Sequence, residues 1–373
     1  MGSLKSYIET FDERLGQVNT AAPKVSIIVT NYNYADYIVD CLASVSLQNY
    51  PDIECIVVDD RSSDNSGEKI RRFIDSDKSS VTFKLFSHEE TLGQYQAFRT
   101  GMVHASGAFI TFLDADDLLL PDFVSEHVRA HLTLPPVAFT SSNQYQIDSV
   151  GQVIGGVHPD LLTRNHYRMI GTVSLHHSFW VWATTSSMMF RRAVLGYVLG
   201  DTDEAFRKCA DNYVAHYCNL LGGSILMPLT LGCYRRHQRN TFSTNPLIGG
   251  RLPTGDMRHH PAHQQVLESI RARLLECREQ FISLLGRSGY LHALSRVTPM
   301  TDLWRHGRKL HRSFGAGEAR TFFSMFGLIL VRTFARRLRN RPPAFTVADL
   351  EGSKRVAKVT SYTDYQRHRR DAK

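Results

Sequence analysis

The sequence predicts an α/β protein: a doubly wound, mostly parallel sheet flanked by helices, followed by a C-terminal helical basic region. Three observations carry that prediction. Strand-like apolar runs alternate with helical patterns four times between Lys24 and Asp114, as in the βα units that build a parallel sheet. Three of those runs end in polar residues, which such a sheet gathers into one crevice at its carboxyl edge. The charge is also divided: residues 1–250 hold 20 Lys and Arg against 26 Asp and Glu, whereas residues 251–373 hold 24 against 10. A net of −6 followed by +14 marks two parts with different surroundings, the second meeting something anionic.

Taken in order, residues 3–18 read as a short helix closed by Pro23, so residues 1–22 are expected to be a helical extension. Lys24–Thr30 (KVSIIVT) is a continuous, β-branched run suited to a strand buried on both faces. A helical pattern follows from about Asp36 to Leu47, then a second strand, IECIVVD, ending at Asp59. Helices over Asn65–Ile74 and Gln94–His104 flank a third strand, Val81–Phe86, and the fourth is Ala108–Asp114. Residues 137–190 are irregular, with turn residues at Gly151, Gly155, Gly156 and Pro159 and an aromatic stretch from His176 to Trp182. They read as an inserted region that shapes a substrate. A helix over Cys209–Leu221 and a strand over Ser224–Tyr234 complete a domain expected to span 23–245. Gly and Pro mark residues 246–261 as a linker, and 262–373 form the basic helical region. There Val266, Ile270, Leu274, Phe281 and Leu285 make one apolar stripe.

A chain 42% hydrophobic and 21% charged is globular, which excludes disordered and collagen-like classes. Its six cysteines lack any CxxC pair, so neither a disulfide framework nor a zinc site is indicated. Glu9, Asp12 and Glu13 interrupt what a secretion signal would need, and no run approaches the ~20 apolar residues of a membrane span. The expected location is therefore cytoplasmic. The stretch Phe322–Val331, set among Arg320, Arg332, Arg336, Arg337, Arg339 and Arg341, suits a helix lying on the anionic inner face of a plasma membrane. A helix docked on the preceding domain with its arginines solvated fits the same pattern. No nucleic-acid reader motif accompanies the positive charge.

The sharpest chemical signal is FLDADDLLLP. Asp114 and Asp116 sit two apart just past a strand end and suit a hard divalent cation that also touches phosphate oxygens; a solvated turn with Asp117 capping the next helix is the alternative. The second strand ends in VVDDRSSDNS, beside Thr30-Asn31-Tyr32-Asn33 of the first. A carboxylate there can accept from a base N–H or a ribose hydroxyl, and Tyr32 can cover a base face. Alternatively Asp60 and Asp64 are turn and capping residues.

In this order the residues resemble the inverting glycosyltransferase family 2, whose fold is called GT-A. KVSIIVTNYNYADYIVDCLASVSLQNYPDIECIVVDDRSSDNS is similar to the family's opening, and GQYQAFRTGMVHASGAFITFLDADDLLLPD to the stretch entering its DxD motif. The likeness covers about residues 24–240, and the ordered combination is more specific than any one string. It implies a nucleotide-sugar donor, a UDP-sugar first, contacted by Thr30, Tyr32, Asp60, Arg99, Asp114 and Arg236. It implies a Mn²⁺ or Mg²⁺ ion held by Asp116, with Asp114 and His237 of CYRRHQRNTFS beside it. The general base would be Asp211 in KCADNYVAHY, for which a first-turn helix acid is the alternative. The acceptor would be a saccharide or a lipid-linked saccharide, as in surface-polysaccharide and glycoconjugate assembly.

Two departures stand out. Ala210 occupies the place where the family carries a Glu before its base, and Phe98 the place of an Arg that precedes Asn, leaving Arg99 one position on. The QxxRW motif and membrane spans of the processive synthases are absent, so the resemblance implies single additions. Two other classes fit less well. A sugar nucleotidyltransferase would want a Gly-rich phosphate loop with Lys after the first strand, where this chain reads TNYNYAD. A degenerate nucleotide-sugar-binding scaffold would account for Ala210 and Phe98.

Overall fold

The computed structural model describes residues 22–155, 166–171, 180–199, 210–237 and 261–298, with a few positions between 317 and 331. The four expected strands are present as β1 (Val25–Asn31), β2 (Ile53–Asp59), β3 (Thr82–Ser87) and β4 (Phe109–Asp114). They lie in the order β3-β2-β1-β4 and run parallel. Between them run α1 (Ile38–Ser46), α2 (Ser66–Ser76) and α3 (Gln94–His104). β1 and β2 are buried almost throughout, as their β-branched runs require, whereas β3 at the edge alternates between exposed and half-buried residues. The register sets Thr30 beside Asp114 and Asn31 beside Asp59, so the polar strand ends meet as expected.

Past β4 the sheet becomes mixed. β9 (Met188–Arg191) runs antiparallel to both β4 and β6 (Phe139–Ile147), and β10 (Ser224–Arg235) runs parallel to β6. The short β5 (Leu118–Leu119) closes the far edge, while β7 (Val153–Gly155) and β8 (Arg168–Ile170) pair with β6 and β10. This is the doubly wound, mostly parallel GT-A-like sheet that the resemblance implies. The stretch read as irregular thus holds two central strands. β6 reads FTSSNQYQI and is nearly all buried, but its interior side chains are polar, so it lacks both the apolar run and the alternation by which a strand is recognised.

Helices α4 (Phe123–Thr133), α5 (Arg192–Val198), α6 (Ala210–Gly222), α7 (Pro261–Glu276) and α8 (Arg278–Val297) complete the described architecture; α8 is broken at Gly286, where φ is +69°. One apolar layer joins α1, α2 and α4 to the sheet through Ile27, Val29, Leu42, Val57, Ile70 and Phe123. The other joins α3, α5 and α6 through Ile28, Phe98, Phe112, Tyr213 and Tyr217. The stripe expected beyond the linker belongs to this second layer: Val266, Ile270, Leu274 and Phe281 are buried against α6, and Leu285 packs at its margin. Phe322 is fully buried in the same layer, whereas Phe323 and Val331 are 42% and 67% exposed. At its first residue, then, the apolar stretch between the arginines touches the core of the α/β unit.

α3 approaches β1 so closely that a Cβ on Gly101 would lie 2.3 Å from Cγ2 of Ile28. Trp182 is fully buried and donates to Ser224 Oγ at 2.9 Å, a core residue despite its aromatic neighbourhood in sequence. His176, His177, the 1–22 extension up to residue 21 and the 246–261 linker up to residue 260 lie outside the described residues. The five described cysteines are free thiols, four of them buried. Among the described residues no helix is long and apolar enough to cross a membrane.

Candidate active site

Five elements meet at the carboxyl edge of β1 and β4. β4 delivers Asp114 and the loop Asp116-Asp117; β1 delivers Thr30, whose hydroxyl hydrogen-bonds to the Asp114 carboxylate. Asp114 is also reached by Gln94 at the start of α3, whose Nε2 donates to Oδ1 at 3.3 Å. From β10, His237 Nε2 lies 2.9 Å from Asp116 Oδ2. α6 opens with Ala210-Asp211, and Asp211 lies near enough for its charge to act on Asp114. Burial, then the charges of Asp116 and Asp211, push the Asp114 carboxyl up to about 8. Burial also raises Asp211, against hydrogen bonds from its own amide, the Asn212 amide and Thr185 that favour the charged form. Asp117 is fully buried and pushed well up by burial and by its two neighbours. This concentration of under-compensated negative charge is the hallmark of a binding or catalytic centre.

Asp117 does not cap the following helix, which Asp122 precedes. It accepts instead from the Arg235 amide at 2.9 Å and from Ser186. Arg235, two residues before His237, is 2% exposed and works as a pin. Its Nε donates to the Asp116 carbonyl at 2.9 Å, its Nη1 to the carbonyls of Asp148 and Ser149, and its guanidinium lies 4.8 Å over the Tyr37 ring. Tyr37 also stacks on His237 at 4.9 Å. Arg235 and Tyr37 thereby hold both the acidic loop and the imidazole that faces it. Arg236, next along, donates to Gln146 at 3.1 Å.

The second acidic turn is organised differently. Asn31 Nδ2 donates to Asp59 at 2.6 Å, and Ser62 donates to both Asp59 oxygens. Asp60 accepts from the Leu92 and Gly93 amides at 2.8 Å each and pairs with His88 Nδ1 at 2.7 Å; His88 Nε2 meets Thr100 Oγ1 at 2.8 Å. Although burial opposes it, these donors hold the Asp60 carboxyl below its usual range. Asp64 accepts from the Ser66 amide and, across the turn, from the Ala35 amide at 2.9 Å. Asn65 rather than Asp64 is the N-cap of α2, so Asp64 is a turn residue that ties the two loops together. Tyr32, 49% exposed, presents an aromatic ring to solvent just past β1.

Phe98 stacks on Phe112 with centroids 4.0 Å apart and is fully buried. The helix therefore turns this position into the core, and Arg99 one step on donates to Gln96. Ala210 is fully buried with its amide bound to Gln94. Both sequence departures thus have a packing reason. Sequence reasoning missed His88, Gln94, Thr185 and Ser186. Gln94 had a local signal, the Gly93-Gln94 step that opens α3 with φ of 88° at the glycine. The others are single polar residues in unpatterned segments.

Residues 26–195 match the model of glycosyl transferase family 2. The chain carries a glycosyltransferase family 2 domain. An uncharacterized glycosyltransferase of Nostoc sp. is 29% identical over 225 residues, covering 58% of this chain and 66% of that protein. The UDP-Glc:alpha-D-GlcNAc-diphosphoundecaprenol beta-1,3-glucosyltransferase WfgD of Escherichia coli is 34% identical over 142 residues, covering 38% and 53%. The chain thus spans less than two thirds of the length of these curated relatives. Among solved structures, the mannosyltransferase PcManGT of Pyrobaculum calidifontis, in complex with GDP-Man and Mn²⁺, covers 90% of this chain and 94% of its own at 18% identity and a TM-score of 0.48. The matched segment of the transferase domain ends at residue 195, before Asp211 and His237.

Proposed function

We propose that this protein is a metal-dependent, inverting glycosyltransferase that moves one sugar from a nucleotide-sugar donor to a saccharide or lipid-linked saccharide acceptor. The observation that carries the reading is the shared crevice of Asp114, Asp116 and Asp211, contributed by β4 and by α6. Asp211 is the general base: its carboxylate takes the proton of the acceptor hydroxyl as that oxygen attacks the anomeric carbon opposite the departing nucleotide. Attack from that side inverts the linkage, and holding both reactants in one crevice supplies much of the rate. Thr30, Tyr32, Asp60, Asp114, Arg99 and Arg236 are assigned to the donor. For Asp60 the contact is made by a carboxylate already fixed by three donors, which pre-sets its direction.

The residues fit a Mn²⁺ or Mg²⁺ ion. Asp114, Asp116, Asp117 and Asp211 crowd together with His237 facing them, a donor set of hard oxygens and one imidazole. Among the described residues no three His, Cys, Asp or Glu side chains converge on one metal position; an ion held by Asp116 and His237 would need its remaining ligands from a diphosphate and water. Asp116 and His237 would hold it, with Asp114 beside them. When bound, such an ion neutralises the charge of a leaving diphosphate. The UDP preference and the lipid-linked acceptor take support from the likeness to WfgD, whose name gives a UDP-Glc donor and a diphosphoundecaprenol-linked acceptor, and a cytoplasmic site, peripheral on the inner membrane face, from the Arg-rich C-terminal sequence.

Thermal stabilisation by UDP, GDP, dTDP and CMP, each with and without Mn²⁺, tests the donor site. A shift with one nucleotide that needs Mn²⁺ and vanishes in Asp116→Ala is expected. No shift with any nucleotide would return the weight to a scaffold that has lost its donor.

A further inference from the structure

We infer that Gln94 is a positioning residue that sets the catalytic base against the donor carboxylate; this rests on the transferase reading above. The side-chain amide of Gln94 is used at both ends. Nε2 donates to Asp114 Oδ1 at 3.3 Å, and Oε1 accepts the Ala210 amide at 3.0 Å. Ala210 is the first residue of α6 and the neighbour of Asp211. One planar amide therefore spans the gap between the strand-end carboxylate and the helix that bears the base. Because the two bonds leave the nitrogen and the oxygen of one planar group, the distance between the Asp114 carboxylate and the start of α6 is set by the width of a carboxamide and its two hydrogen bonds.

Gln94 is itself fixed from behind. It follows Gly93, whose φ of 88° disfavours a side chain, and the Leu92 and Gly93 amides are held by Asp60. The next residue, Tyr95, is 1% exposed and meets the ring of Tyr213 edge-on at 5.9 Å, two residues past Asp211. Polar and apolar contacts thus fasten the start of α3 to the start of α6. A hydrogen-bonded series runs from Asp60 through the 92–93 backbone and Gln94 to both Asp114 and the base helix. It couples the nucleoside end of the crevice to the proton acceptor. Placement errors of about 1 Å at such a site cost on the order of 100-fold in rate, so an amide that fixes this spacing acts on turnover more than on donor affinity.

The test compares wild type, Gln94→Met, Gln94→Glu and Asp211→Asn. Nucleotide release from UDP-, GDP- and dTDP-sugars is followed with Mn²⁺ and a polyprenyl-diphosphate-linked N-acetylglucosamine acceptor; calorimetric binding of the free nucleotide and Tm are measured alongside. Gln94→Met keeps the length and loses both bonds. It should lower kcat by roughly 30–100-fold while KM for the donor and nucleotide Kd stay within about 3-fold. Gln94→Glu still accepts from Ala210 but sets a carboxylate against Asp114, and should lower kcat at least as far. A Gln94→Met enzyme with kcat within about 3-fold of wild type overturns the inference and leaves the transferase reading standing. So does a loss of kcat matched by an equal loss of nucleotide affinity or by a collapse of Tm, which would make Gln94 merely structural. No release by wild type from any of the donors overturns the transferase reading and this inference together.

Discussion

Two acidic turns flank the end of β1, one at the end of β2 and one at the end of β4, and they are built on opposite electrostatic terms. At Asp59 and Asp60 every nearby group donates: Asn31, Ser62, His88 and two backbone amides. At Asp114, Asp116 and Asp117 the nearest charges are other carboxylates, Asp211 included, with His237 the facing imidazole. The residue type is the same, and the neighbouring charge decides what it does: Asp114 and Asp117 also accept from Thr30, Gln94, Ser186 and the Arg235 amide, but burial and adjacent carboxylates outweigh those bonds. A satisfied carboxylate becomes part of the scaffold that shapes the crevice. A crowded one retains a demand for positive charge or for a proton, which a cation, a ligand or a reacting hydroxyl can meet.

The comparison breaks first at Asp211. Asp211→Asn removes the proton acceptor without changing shape, so transfer should fall by roughly 10²- to 10⁴-fold with nucleotide binding retained. A steady-state assay alongside calorimetry separates the two, and unchanged turnover would remove Asp211 from the mechanism. At the satisfied turn the same logic predicts a loss of stability: Asp60→Ala strands His88 and the Leu92 and Gly93 amides, at about 2–4 kcal/mol, read from urea unfolding. Gly101→Ala, on the face of α3 packed against β1, should cost ~1–3 kcal/mol through overpacking against Ile28 and leave nucleotide affinity unaltered.

The gentlest probe is pH. Glu54, 1% exposed, accepts from Ser26 Oγ and from the Ser106 amide and hydroxyl, and these bonds hold its carboxyl at about 2 against the burial that opposes them. Its folded value lies below the unfolded one, so its contribution is complete above about pH 4.5 and drains away as pH falls toward 2. His131, buried under Phe109, is held down to about 4 by burial; the unfolded chain binds that proton first, so stability also declines from about 6.5 toward 4. Unfolding midpoints should therefore decrease in two acid steps. Glu54→Gln should shrink the lower step, which Asp60 shares, and His131→Phe the upper, which His127, also held well below its usual range by burial, shares.

The parallel half of the fold was legible because β1, β2 and β4 are unbroken apolar runs that each end in a polar cluster. The mixed half was not, since β6 buries Ser141, Ser142, Asn143 and Gln144, and a buried polar strand has no periodic signature. At the site, Asp114 and Asp116 at a strand end and Asp211 in the first turn of a helix lie where their local sequence puts them. The roles proposed for them come from the resemblance, since carboxylates in such places are as often structural, as Asp59 and Asp60 are. Gln94, Thr185 and His88 matter through pairings across 116, 26 and 28 residues of chain respectively, and nothing local announces a long-range hydrogen bond. The pinning role of Arg235 was hidden for the same reason: most of its partners, the carbonyls of Asp116, Asp148 and Ser149, are backbone atoms that every residue possesses.

The back of α6 has a consequence for how this enzyme type can be altered or trimmed. The helix that presents Asp211 to the crevice leans with its opposite face on Ile270, Leu274 and Phe281, and Tyr217 meets the Phe281 ring at 6.0 Å. The basic C-terminal part is therefore the backrest of the catalytic helix as well as a charged appendage. A chain cut after β10 would uncover that apolar face and loosen the seat of Asp211, the proposed base, so an exchange of segments between relatives must carry α7 and α8 along with the crevice they brace.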